Sequence, residues 1–271
     1  MAFVVALVLM AAAFAVCMAG AWLVQQRTGN SGWVDTIWTF SLGGIGAAGA
    51  LWPLQASAPM PRQWLVAALI ALWALRLGRH IAQRSAGIAD DPRYARFAAD
   101  WGAEAPRRMF VFLQNQALGS LPLVFAIFVA AHAPRPLDAQ DLLGALLLAA
   151  GIAGEAVADT QLKRFRSAAA NRGRVCDAGL WRLSRHPNYF FQWLGWLAYP
   201  VMAISLADPL GYPWGFATLP APLIMYWILV HVTGIPPLEE QMLHSRGDAY
   251  RAYQARTSRF FPWSPRVAAD R

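Results

Sequence analysis

Seven stretches of about 20 mainly apolar residues recur along this chain, near 3–24, 33–52, 64–82, 109–132, 141–162, 188–206 and 215–235. An α-helix rising about 1.5 Å per residue needs that length to cross about 30 Å of hydrocarbon. The pattern predicts an all-α polytopic membrane protein, with seven transmembrane helices forming a single membrane domain over 1–271. The first stretch could pass for a signal peptide, but no basic residue precedes its apolar run and the run is long, so it reads as a mature helix.

Composition agrees with lipid as the solvent. The chain is 57% hydrophobic and 14% charged, where soluble domains are about a quarter charged, and it holds 13 Trp. Collagen-like and disordered classes are excluded, and two thiols, Cys17 and Cys176, cannot form a disulfide framework. The net charge of +8 is carried by 22 Arg and one Lys. Set against the apolar stretches, all of the 23 basic residues except Arg62 and Arg135 fall on one side, at Arg27, in 76–108, in 163–185 and in the tail from Arg246 to Arg271. Basic residues collect in short cytoplasmic loops, so the N-terminus is expected outside and the C-terminus in the cytoplasm. The expected location is a cell inner membrane or another cytoplasm-facing membrane. A charge gathered in this way serves topology, so no nucleic-acid partner is expected, and the chain is expected as a monomer or weak homo-oligomer.

Acids inside apolar stretches are costly and usually have a function. Asp35 opens the second stretch in Trp33-Val-Asp35-Thr-Ile-Trp38, where it is either a first-turn acid favoured by the helix dipole or a catalytic polar contact. Glu155 and Asp159 stand four apart, so both project from one helix face, where they repel unless a cation, proton or donor lies between them. An ion pair to a neighbouring helix, for instance with Arg76, is the plainer alternative.

The densest polar signal is Gly179-Leu-Trp-Arg-Leu-Ser184-Arg185-His186-Pro187-Asn188-Tyr189, a loop that turns directly into the sixth stretch. Pro187 suits a first helical turn, Ser184 and Asn188 suit its cap, and free N–H groups there attract anions. Arg182 and Arg185 beside it suit phosphate, although lipid headgroups would attract the same residues. In the tail, Glu239 and Glu240 follow the last stretch and are expected to hold ribose hydroxyls or to orient an Arg, and Tyr250 and Tyr253 are spaced to share a helix face. An amphipathic tail lying on the membrane reads the same way. The five His show no metal-ligand spacing, so no metal is expected, and no Gly-x-Ser-x-Gly elbow is present.

Taken together, Ala-Asp159-Thr-Gln161, Gly179-Leu-Trp181, Ser184-Arg-His-Pro-Asn-Tyr189 and the Pro-x-x-Glu, Tyr-x-x-Tyr and Phe-x-Pro-Trp elements of the tail resemble the DUF1295 family. That family is related to the C-terminal domain of the steroid 5-alpha-reductases. The Arg-His-Pro-Asn-Tyr turn also resembles one in the more distant isoprenylcysteine carboxyl methyltransferases. The reductase resemblance implies an NADPH-dependent enzyme acting on the carbon–carbon double bond of a lipophilic, steroid-like or isoprenoid-like enone that arrives from the bilayer, with cofactor bound in 141–265. By this resemblance Asp159 matches an acid of the cofactor helix, Arg166 a phosphate-side Arg, and Asn188 an Asn of the pocket. Glu155 and Gln192 stand where the reductases have Asn and Glu, and Arg84 falls near an Asn of the adenine side. Lys163, Arg174, Ser184, Arg185, His186, Tyr189, Glu240 and Tyr253 complete the expected cofactor set. Asp35, with Trp38 and Trp73, is expected on the catalytic side, Asp35 near the substrate carbonyl and Trp73 in place of a partner Tyr. The methyltransferase resemblance implies S-adenosylmethionine at His186, Asn188 and Glu240. A non-enzymatic protein binding lipid or a partner is the remaining alternative, and it has no use for the acids within the apolar stretches.

Overall fold

A computed structural model describes residues 2–54 and 60–265, and Arg266 and Arg271 of the basic tail lie outside the described residues. Among the described residues the chain is helical throughout and has no strand beyond one isolated bridge. The helices are α1 (Ala2–Thr28), α2 (Gly32–Ala50), α3 (Pro61–Ala86), α4 (Pro92–Trp101), α5 (Ala105–Gly119), α6 (Leu121–Ala131) and α7 (Ala139–Ser167), followed by α8 (Leu180–Leu183), α9 (Pro187–Trp196), α10 (Ala198–Ala203), α11 (Pro220–Trp227), α12 (Ile235–Arg246) and α13 (Asp248–Arg256).

Five helical runs, Phe3–Thr28, Pro61–Ala86, Pro92–Ala131, Ala139–Ser167 and Pro213–Arg246, are long and apolar enough to cross a membrane. Their outward side chains fit lipid, for Val4, Val8 and Val16 of α1 are 59%, 60% and 72% exposed, as apolar groups rarely are in water. The stretches expected at 33–52 and 188–206 are not among the five. In the first, close packing replaces bulky apolar side chains with Gly: a Cβ on Gly43 of α2 would lie 2.1 Å from that of Ala74 on α3. The second is divided at Leu197 into the short helices α9 and α10.

The chain divides into two compact units, Met1–Leu143 with Tyr199–Ala221, and Gly144–Ala198 with Pro222–Arg271. The first is built on α1, α2, α3 and α6, with Phe14, Met18, Leu42, Ile70, Ile127 and Phe128 fully buried between them. It also buries Arg62, whose guanidinium meets Asp141 at 2.9 and 2.7 Å and the carbonyls of Ala133, Arg135 and Pro136. Arg135 binds the same carboxylate, so the two Arg that sequence sets apart from all the others converge on one acid. In the second unit Val230, Ile235 and Phe260 form a core, with Tyr189, Phe190, Trp193 and Tyr226 packed around it. A turn of π-helix, Ile228–Val232, precedes α12.

Candidate functional site

In the second unit the site is built on the loop from Gly179 into α9. Gly179 has φ +59°, and a Cβ there would meet the Gln161 side chain at 2.7 Å, so only Gly fits the turn. The Gln161 Oε1 then accepts the Leu180 N–H at 2.9 Å, and the Trp181 indole N–H donates to the Ala158 carbonyl at 2.9 Å. These bonds fasten the loop to α7. The tail fastens its other side. Arg185 N–H donates to the Ser258 carbonyl at 2.8 Å, Ser184 Oγ to the Phe260 carbonyl at 2.8 Å, and Trp263 N–H to the Leu183 carbonyl at 3.0 Å. Tyr253 is buried and donates its hydroxyl to the Trp181 carbonyl, with its ring 5.8 Å from that of Tyr250.

One carboxylate organises this knot. Glu239 on α12 accepts from Arg185 Nε at 2.6 Å and Nη2 at 3.3 Å, Tyr250 OH at 3.3 Å and Gln254 Nε2 at 3.1 Å, and meets His186 Nε2 at 3.2 Å. The third Arg185 nitrogen, Nη1, donates to the Gln254 and Thr257 carbonyls at 3.2 and 2.7 Å. The guanidinium that sequence assigns to phosphate is therefore engaged within the protein. Glu239 does orient an Arg as expected. Its neighbour Glu240, expected in the cofactor set, is 56% exposed and lies 4.0 Å from His244. Burial pushes the His186 imidazole below the ordinary histidine value, although Glu239 opposes the shift, so the ring is neutral at pH 7. Burial likewise raises the Tyr250 and Tyr253 hydroxyls, which remain protonated donors.

Next to the knot, Asn188 Nδ2 donates to Asp159 on α7 at 3.4 Å. Lys163 and Arg166 follow Asp159 by one and two turns on the same helix and are exposed, as are Arg164, Arg172, Arg174 and Arg182. No acid lies between Asp159 and Asp177, so this basic segment is not neutralised from within. Glu155 is buried, Gln192 is buried on α9, and Tyr189 stacks on His186 with ring centroids 5.8 Å apart.

The first unit holds a separate polar centre. Arg93 donates to Asp35, and the buried Tyr94 donates its hydroxyl to Asp35 Oδ1 at 2.9 Å. Arg93 also reaches Asp91 through Nε at 2.9 Å, while Arg84 lies 3.5 Å from Asp91 and 3.9 Å from Asp35. Burial alone would raise the Asp91 carboxyl, but its bonds and charge contact with Arg93 outweigh burial and hold it below the usual range. Asp35 thus has a Tyr partner after all, supplied by α4. Trp73, expected to stand in place of that Tyr, is buried, and the Trp38 indole donates to Ser120 Oγ at 2.8 Å.

The profile of a family described as "Protein of unknown function (DUF1295)" matches residues 21–257. The chain belongs to the DUF1295 family. No curated protein and no solved structure matches the chain. Every candidate residue of this DUF1295 protein, from Asp35 to Tyr253, lies inside the matched region, and the strap that pins the loop, Ser258 to Trp263, lies just beyond it. Sequence reasoning missed Arg93 and Tyr94 as partners of Asp35, although Asp91-Pro-Arg93-Tyr94 is a polar cluster beside a helix start. The partners lie 58 and 59 residues from Asp35, and no local spacing carries that information.

Proposed function

We propose that this DUF1295 protein is an integral-membrane, NADPH-dependent reductase that saturates the carbon–carbon double bond of a lipophilic enone drawn from the bilayer. The observation that carries the reading is the placement of Asn188 against Asp159 at the head of an exposed basic segment that includes Lys163, Arg166 and Arg174. A carboxylate and a carboxamide suit ribose and amide groups, and the Arg forks suit the phosphates of NADPH. When bound, that cofactor would supply a hydride. In the first unit Asp35 accepts from Tyr94 and Arg93, and the donor offered to a substrate carbonyl is the Arg93 guanidinium, which Asp35 and Tyr94 position. In this arrangement Asp35 is ion-paired and is not itself the proton donor.

The topology proposed with this reading keeps seven crossings, an outside N-terminus and a cytoplasmic C-terminus, with α2 and the α9–α10 pair as the shorter crossings. Without α2, Arg27 and Arg84 would face opposite sides of the membrane, against the tendency of basic loops to remain cytoplasmic. A second reading, a methyltransferase using S-adenosylmethionine, is favoured by one observation. Arg185 is occupied by Glu239, which takes from phosphate one of the two Arg that sequence sets beside the turn. Equilibrium binding and thermal shifts of the detergent-purified protein with NADPH, NADH and S-adenosylmethionine test both. Stabilisation by NADPH supports the reductase, stabilisation by S-adenosylmethionine alone replaces it with the methyltransferase, and stabilisation by none favours a non-enzymatic membrane protein.

A further inference from the structure

The turn at the start of α9 contains two hydrogen-bond acceptors that no group among the described residues satisfies. His186 meets Glu239 through Nε2 at 3.2 Å. Glu239, ion-paired to Arg185 at 2.6 Å, can only accept, so His186 Nε2 carries the proton of that bond and Nδ1 of the neutral ring is left as an acceptor. His186 is 5% exposed and stands at the N-cap of α9, yet makes no side-chain capping bond, and Nδ1 has no partner among the described residues. Two residues on, Asn188 turns its Nδ2 toward the Asp159 carboxylate, which fixes the amide orientation and makes Oδ1 the free end. That Oδ1 is buried and has no hydrogen-bond partner among the described residues. A buried acceptor is nearly always satisfied, so Asn188 Oδ1 calls for a donor, and His186 Nδ1 offers a second acceptor in the same turn.

We propose that this turn recognises an uncharged, hydrogen-bond-donating part of the ligand, a hydroxyl or carboxamide N–H, through His186 Nδ1 and Asn188 Oδ1, and that it does not hold phosphate. A phosphate would bring oxygen lone pairs against two acceptors. Of the cations that act on His186, Arg185 already places Nε and Nη2 on Glu239 and Nη1 on two carbonyls, and Arg259 gives Nη2 to the Val230 carbonyl. Phosphate recognition is thereby left to the exposed 163–174 segment, and the Ser184-to-Tyr189 turn becomes the part that reads ribose or carboxamide. Glu239 is its positioning residue, since it selects the His186 tautomer. This assignment rests on the dinucleotide reading and specifies which half of the site does what.

The test is equilibrium binding of NADPH and NADH to the intact detergent-purified protein over a range of salt, for wild type, His186→Gln, His186→Asn and Asn188→Ala. Gln keeps a donor near the Nε2 position and loses the Nδ1 acceptor, whereas Asn keeps an acceptor near Nδ1 and loses the bond to Glu239. Losing one such hydrogen bond is expected to weaken binding about ten-fold in His186→Gln and in Asn188→Ala, and less in His186→Asn. Both dinucleotides are weakened equally and the slope of affinity against salt is unchanged, because no phosphate contact is lost. An unchanged affinity in both His186→Gln and Asn188→Ala overturns the assignment, as does a reduced salt slope or an altered NADPH-to-NADH ratio in either. Wild-type protein that binds neither dinucleotide overturns the underlying dinucleotide reading instead. Unfolding midpoints identify any variant that fails to fold, and Asn188→Ala, which leaves the Glu239 knot intact, then decides alone.

Discussion

Removing the Glu239 carboxylate should loosen the entire loop from Gly179 to Tyr189. Glu239 accepts bonds from Arg185, Tyr250 and Gln254 and meets His186, and the ion pair lies deep, with side chains 10% and 12% exposed for Arg185 and Glu239. Deleting one partner of a buried pair costs about 3 to 5 kcal/mol, because the other charge is left desolvated and unpaired. The lower end applies here, since Arg185 Nη1 keeps its two carbonyl acceptors. In a chain of this size about 3 kcal/mol corresponds to a fall of about 6 to 12 °C in the unfolding midpoint. The assay is tryptophan-fluorescence unfolding in one fixed detergent for Glu239→Leu, Arg185→Met and Glu239→Leu/Arg185→Met. Each single variant should lose about 3 kcal/mol, and the double variant should recover about 2 kcal/mol of the summed loss, since removing both charges relieves the unpaired one. Two singles within about 0.5 kcal/mol of wild type, or a strictly additive double, would refute the argument that this carboxylate organises the loop.

Other consequences concern the remaining polar centres. Asp141→Asn leaves Arg62 buried with a neutral partner and should destabilise by about 3 kcal/mol, measured as an unfolding midpoint, with little effect on cofactor binding. Gly179→Ala places a Cβ against Gln161 at a positive φ and should cost about 1 to 3 kcal/mol; a wild-type midpoint would show that the turn tolerates a side chain. Burial lowers the folded pKa of His186 below the ordinary 6.5, so the unfolded chain binds the proton more readily. The stability this group contributes is complete above about pH 6.5 and is lost as pH falls through the lowered folded value, so wild type should lose more stability than His186→Gln between about pH 7 and about pH 5. On the reductase reading, Tyr94→Phe removes the hydroxyl beside Asp35 and should lower turnover of an accepted enone about 10- to 1000-fold without weakening NADPH binding. Equal turnover by wild type and variant would remove Tyr94 from the chemistry.

The helical content, the placement of the long apolar runs and the gathering of Arg between them can all be read from sequence. These depend on composition over about 20 neighbouring residues, and lipid selects for that composition directly. The Ser184-to-Tyr189 turn is legible for the same reason, since Pro187 and the polar residues around it mark a helix start locally. What only the tertiary structure decides is which groups meet. Sequence puts Glu240 in the cofactor set, but one helical position separates a carboxylate facing Arg185 and His186, that of Glu239, from the outward one of Glu240. Arg185 looks like a phosphate ligand until its partners, 54 to 72 residues away, are in place. Asp35 looks isolated until α4 brings Arg93 and Tyr94 to it. The second apolar stretch looks like any other until Gly43 is seen to admit Ala74, a contact that trades the bulk a lipid-facing helix would carry for close packing. Local pattern records what solvent each segment prefers, whereas the pairing of buried charges depends on helices that become neighbours only when the chain has folded.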